Sequence, residues 1–194
     1  MRYIIGSIYF MIGIIFAYCY IISSMAEEYS TEKKCLAEAI YYEARSESFE
    51  GKLAVANVIL ERLYRNDFPD TICKVVHAGV YWKGHIVKHK CAFSYYCDGK
   101  PEHMLDIKAK SDAYNIARLA LNGVQLNNTT GSTHYHAEYV HPKWADEFYF
   151  IAKIGKHLFY IKDNENNYYI GVNILLDRET KPSTILIKLY EPLP

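Results

Sequence analysis

A carboxylate closes an apolar stripe in the stretch TEKKCLAEAIYYEARSESFEGKLAVANVILERLYR, residues 31–65, and that pattern limits the packings open to the chain. Leu36, Ile40, Glu43 and Glu47 recur at helical spacing and fall on one face of one helix. Burying a charge is costly unless the group is paired or neutralised, so an acid ending such a stripe has two readings. In one, Glu43 pairs with Arg45, Arg62 or Lys52 at the rim of a core. In the other, partial desolvation and the negative end of the helix dipole raise its pKa until it keeps a proton near neutral pH, as a general acid must.

The surrounding pattern is that of a helical hairpin. Ser30 or Thr31 is the expected N-cap of a first helix ending near Arg45, and a polar SES turn follows. Ser48 or Phe49 opens a second helix running to about Arg65. Its stripe is Val55, Val58, Ile59 and Leu63, and Ala54 and Ala56 allow close packing on the first helix.

Ahead of the hairpin, MRYIIGSIYFMIGIIFAYCYIISSM carries one Arg and then about twenty apolar residues, enough for a signal peptide or an uncleaved signal anchor. The expected organisation is therefore a signal or anchor over 1–26, a catalytic domain over 31–161 and a β extension over 162–194. The body is expected to be exported to the periplasm or cell envelope, with the N-terminal segment as its contact with the inner membrane. Lys+Arg and Asp+Glu both number 22, so no polybasic footprint points to nucleic acid. The 19 tyrosines fit either ordinary packing or a saccharide cleft, where a flat ring offers an apolar face and a hydroxyl.

Cys19 lies in the apolar segment, leaving Cys35, Cys73, Cys91 and Cys97 in the body. An even number in an exported chain suggests two disulfides, with three connectivities open. The favoured one joins Cys91 to Cys97 across the short loop CAFSYYC and Cys35 to Cys73, tying the first helix to the loop after the second. Zinc is the rival use of these thiols, but no C-x-x-C pair is present.

Further along, NDFPDTICKVV reads as a turn and then a short apolar helix or strand, and Tyr81 to Pro101 as a long binding loop. A third helix is expected from about Asp106 to Asn122, with Ile107, Tyr114, Ala117 and Leu121 on one face and Gly123 at its C-terminus. GSTHYHAEYVHPKW alternates: Thr133, Tyr135 and Ala137 fall on one side of a strand, His134, His136 and Glu138 on the other. His134 and His136, with His141 or His157, would be the ligands if zinc were bound. AKIGKHLFYIK reads as a turn and a closing strand, and the tail after it as two or three strands.

These stretches resemble the SleB/CwlJ-type cell wall hydrolases, the spore-cortex-lytic family of bacteria and their phages. The residues that carry the likeness are LAEAIYYEARSESFEGKLAVANVILERL (36–63), FPDTICKVV (68–76), CAFSYYCDGK (91–100), GSTHYHAEYVHPKW (131–144) and IGKHLFYI (154–161). The resemblance implies an α+β fold: a mostly helical, lysozyme- or lytic-transglycosylase-like domain with a small β-sheet. It implies cleavage of peptidoglycan between N-acetylmuramic acid and N-acetylglucosamine. A monomer without metal or other cofactor is expected.

Carried over by position, Glu43 is the catalytic acid. The resemblance also implies that Ser94, Thr133, His134, Tyr135 and His136 line the substrate cleft; Tyr95 and Trp144 are further candidates for it, and Glu47 is the candidate second carboxylate of a hydrolytic route, a sugar contact or a partner of an arginine. Ser46 stands where the family usually has Gly, and Ala92 where Gln is common. Two other functions stay open beside this one: a zinc amidase using His134, His136 and His157, and an anchored module that binds peptidoglycan without cutting it. In a phage endolysin, Cys19 could also exchange disulfides with a body cysteine.

Overall fold

A computed structural model describes residues 2–162. The strands expected after Lys162 lie outside the described residues. The order is α1 (Arg2–Ala44), α2 (Phe49–Arg62), α3 (Ile72–Val76), β1 (Gly79–Trp82), β2 (His85–Cys91), α4 (Ile107–Leu121), β3 (His134–Ala137), β4 (Tyr149–Ile154) and β5 (His157–Ile161). A 3-10 turn at Ser94–Cys97 follows β2, and another at Lys143–Asp146 follows β3. Helices plus a small antiparallel sheet are the α+β architecture expected above.

The first helix differs from expectation in having no start at Ser30 or Thr31: α1 runs unbroken from Arg2. Nothing in SSMAEEYST breaks a helix, for it holds no Pro or Gly. The hydroxyls of Ser23 and Thr31 donate to the carbonyls of Cys19 (2.9 Å) and Glu27 (3.0 Å), the mid-helix alternative to capping. From residue 11 to residue 31 α1 is exposed, with Ile15, Phe16, Tyr20 and Ile21 facing outward. This helix is long and apolar enough to cross a membrane.

From Cys35 onward α1 enters the core. Leu36, Ala37, Ala39, Ile40 and Ala44 are buried against Leu53, Val55, Ala56 and Ile59 of α2, Val75 and Val76 of α3, and Ile116, Ala117 and Ala120 of α4. Small residues at Ala37, Ala39, Ala54 and Ala56 let the helices approach closely, and all four are buried. The buried stripe of α4 is Ala113, Ile116, Ala117 and Ala120, whereas Ile107, expected on that face, is exposed. Helix ends follow local chemistry. Ser48 Oγ accepts from Gly51 N, Thr71 Oγ1 from Lys74 N, and Asp106 Oδ1 from Ala109 N. Gly123 takes φ +87° just beyond α4, the left-handed conformation that glycine tolerates.

The segment from Tyr81 to Pro101 is more ordered than expected, because β1 and β2 pair as a hairpin. Its turn places Lys83 and Gly84 at φ 48° and 81°, the geometry of a two-residue hairpin loop. The second sheet has the order β3-β5-β4, all antiparallel. Its Ile154 and Phe159 pack on Ala54 and Val58, seating the sheet against α2. Asn57 adds a polar clamp, donating to the Val124 carbonyl (3.2 Å) and accepting from Leu126 N (3.0 Å).

Cys35 is joined to Cys73 and Cys91 to Cys97, while Cys19 is unpaired and exposed. A cross-link stabilises chiefly by restricting the unfolded chain, and more so for a longer loop. The two bridges span 38 and 6 residues. Replacing Cys35 and Cys73 by Ser is therefore expected to cost about 4 kcal/mol, and replacing Cys91 and Cys97 about 2 kcal/mol. Denaturant melts of the two double variants check this order.

Candidate active site

The turn after α1 decides where Glu43 sits. Glu43 lies in the last turn of the helix, one residue before its end, half-buried where α1 passes β3. The Tyr135 hydroxyl donates to its Oε2 at 3.3 Å. Tyr135 reaches it because β3 turns this side chain inward, beside Phe159 and edge-on to His157.

Behind them is Arg62, buried at the end of α2. Its Nε donates to the Thr133 carbonyl (2.9 Å), and its guanidinium lies over the rings of Phe68 and Phe93. The ion-pair alternative for Glu43 is not adopted among the described residues. Lys52 pairs with Asp112 (3.6 Å), Arg45 lies over the Tyr41 ring, and Arg62 acts on Glu43 only through space.

Electrostatics follow from this geometry. Burial lifts the Glu43 carboxyl above the ordinary carboxylate range, opposed by the Tyr135 hydrogen bond and the Arg62 charge. Burial likewise raises the Tyr135 phenol, and the Glu43 charge adds to the effect. Tyr135 is thus a neutral donor. Tyr95, buried in the 3-10 turn after β2, stacks on Tyr42 with centroids 4.6 Å apart. Its phenol is also raised, first by burial and then by Glu38, Glu43 and Glu102.

The other expected residues do not all gather here. Glu47 lies past the end of α1, in the turn before α2, where its Oε2 accepts from Lys156 N (3.3 Å) in the β4–β5 turn. Gly155 takes φ +56° there, and a Cβ at that position would collide with the Glu47 carboxylate. Glu47 thus links the sheet to the helical hairpin through a backbone N–H. Ser94 is exposed at the first position of its 3-10 turn.

Strand alternation sends His134 and His136 away from Glu43, into an aromatic layer with Trp144, Phe148 and Tyr160. Thr133 Oγ1 bonds His134 Nδ1 at 2.9 Å, and burial first, then Arg62 and Lys162, pushes that imidazole down to about 4. His136 Nδ1 meets the Ala137 carbonyl at 2.9 Å and so carries the proton. Its Nε2 then accepts from the Tyr160 hydroxyl at 3.0 Å. Both nitrogens of His136 are thus hydrogen-bonded, and no cluster of metal-binding side chains occurs among the described residues. Tyr42 and Tyr160 escaped the sequence reading. Tyr42 was visible as the residue beside Glu43, but Tyr160 needed the β3–β5 register to reveal it.

With this geometry in place, comparison with known proteins is informative. The profile of the cell wall hydrolase family matches residues 46–160, more than half of the chain. The chain belongs to the cell wall hydrolase family. The matched span begins three residues after Glu43. The spore cortex-lytic enzyme of Halalkalibacterium halodurans is 32% identical over 125 residues, 64% of this chain and 33% of that protein. That of Oceanobacillus iheyensis is 54% identical over 41 residues, 21% of this chain and 15% of that one. The chain thus spans a third or less of the length of these relatives. Among solved structures, the catalytic domain of the germination-specific lytic transglycosylase SleB from Bacillus anthracis is similar. It has 28% identity and a TM-score of 0.51 over 66% of this chain and 93% of that one.

The Glu43 environment has a consequence for stability. A carboxyl whose pKa is higher in the fold than in the unfolded chain opposes folding once it ionises. Its contribution is whole below the unfolded value near 4.5 and is lost as pH rises through the folded value. Glu43→Gln cannot ionise. Its stability is expected to match that of the wild type below pH 4.5 and to exceed it at pH 7 by about 1.4 kcal/mol for each unit of elevation, seen as a higher thermal midpoint. Melting curves across pH 4 to 8 test the sign.

Proposed function

We propose that this protein cleaves peptidoglycan glycan strands between N-acetylmuramic acid and N-acetylglucosamine, as a lytic transglycosylase in which Glu43 is both acid and base. The observation that carries the reading is a helix-terminal carboxyl withdrawn from water, without an ion pair and held by one phenol. Family membership and the likeness to a lytic transglycosylase catalytic domain support it.

In the first half of the reaction, protonated Glu43 gives its proton to the bridging oxygen as the bond from that oxygen to C1 of N-acetylmuramic acid breaks. In the second, the carboxylate takes the proton of the C6 hydroxyl while O6 attacks C1. A 1,6-anhydro sugar forms, and the enzyme returns to its starting state. Tyr135 is a positioning residue that fixes the rotamer of Glu43, and Arg62 limits the energetic cost of the carboxylate stage.

One carboxylate suffices for this route. A hydrolytic route places a second carboxylate across the scissile bond, and Glu47, the first choice for it, is engaged by the β4–β5 turn. The zinc amidase alternative is disfavoured by the double engagement of His136.

The site is proposed to work at the cell envelope, with the exposed apolar part of α1 as a membrane anchor. At 1.5 Å per residue, the unbroken helix would hold Glu43 about 27 Å beyond Met25.

Glu43→Gln is expected to lower the rate of sacculus digestion at least about 100-fold. The wild-type product should carry 1,6-anhydro-muramic ends by mass spectrometry. Reducing ends alone would contradict the transglycosylase route, and full activity of Glu43→Gln would contradict the role of Glu43. Tyr135→Phe removes a bond that favours the carboxylate. The basic limb of its activity profile is therefore expected to move to higher pH.

A further inference from the structure

An open groove lies apart from Glu43, where α3 meets the β1–β2 hairpin. It encloses about 610 Å³ and is bordered by Lys74, His77, Gly79, Tyr81 and Tyr96, with Cys73 of the first disulfide beside them. Its rings are arranged rather than scattered. His77 and Tyr96 stack with centroids 4.1 Å apart and planes within 19°. The neighbouring Tyr81 phenol and burial both raise the pKa of the Tyr96 phenol, so that ring is present as a neutral phenol. Tyr81 is about half exposed and neighbouring Trp82 more so, both on β1, which pairs only with β2 among the described residues. Lys74, paired with Asp70 at 2.8 Å, supplies a polar rim.

We propose that this groove is a saccharide-binding site, taking a pyranose unit of the same glycan strand at a distance from the bond being cut. The volume falls within the range of small-ligand sites. Flat tyrosine and imidazole rings with hydroxyl and ammonium groups at their edges suit a sugar, whose C–H face is apolar and whose rim is polar. Burial lowers the pKa of His77, which keeps that ring neutral and suited to lie under an uncharged sugar.

Continuity with Glu43 is what makes the glycan strand the occupant. Tyr96 follows Tyr95 in one 3-10 turn, Tyr95 stacks on Tyr42, and Tyr42 adjoins Glu43 on α1. A strand engaged at both places would be held in register, so long chains should bind better than short ones.

This inference rests on the glycan-cleaving reading, and its test separates the two. The full chain carrying Glu43→Gln, solubilised in detergent, is titrated calorimetrically with purified uncross-linked glycan chains of two and of eight or more disaccharides. The long chains are expected to bind more tightly. Adding Tyr81→Ala should weaken the long-chain affinity about tenfold, while Tyr81→Phe, which keeps the ring, should retain most of it. On the parent, long chains should also shift the ring-proton resonances of His77 and Tyr81. Unchanged long-chain affinity in Tyr81→Ala, or no shift of those rings, overturns the groove assignment alone. Absence of any glycan binding by the parent overturns both it and the proposed function.

Discussion

Everything chemical in this molecule depends on the contact between the Glu43 carboxyl and the Tyr135 phenol. It joins the last turn of the longest helix to the first strand of the sheet, two elements more than ninety residues apart in the chain. Burial alone would leave the carboxyl protonated and free to rotate; the phenol fixes its rotamer and makes ionisation easier. Arg62 adds charge without forming the short ion pair that would hold Glu43 permanently ionised. The resulting balance is what a group needs in order to give up a proton and take another back within one cycle.

The remaining architecture keeps that contact in place. Alanines on α1 and α2 bring the two helices close, and Ile154 and Phe159 seat the sheet on α2. Glu47 ties the turn beside Glu43 to the β4–β5 turn, where a Cβ at position 155 would meet the Glu47 carboxylate. The Cys35–Cys73 bridge joins α1 to α3, and the α3 neighbourhood in turn carries the hairpin groove. A displacement of the helical hairpin would therefore be felt at both places.

Much of this was legible in the sequence because it is local. The stripe of α2, the caps Ser48 and Asp106, the partition of the cysteines and the alternation of THYH all follow from spacing and side-chain chemistry. Three features were not. The hairpin at 79–91 was hidden by a Lys-Gly turn in a segment dense with polar and aromatic residues, where strand periodicity is faint. The start expected at Thr31 failed because a hydroxyl caps a helix only where the preceding chain leaves it, and here that chain is itself helical. Alternation put His134 and His136 opposite Tyr135, but which face meets Glu43 depends on how β3 docks, a tertiary fact that no local pattern encodes.

Acid catalysis here rests on the protonation of one side chain. Carbon-detected NMR of the full chain, with the Glu43 carboxyl resonance assigned by its loss in Glu43→Gln, measures it directly. The expected midpoint lies above 4.5, the ordinary value for a glutamate. A midpoint at or below that value would mean the carboxyl is held as an anion throughout, with no proton to give.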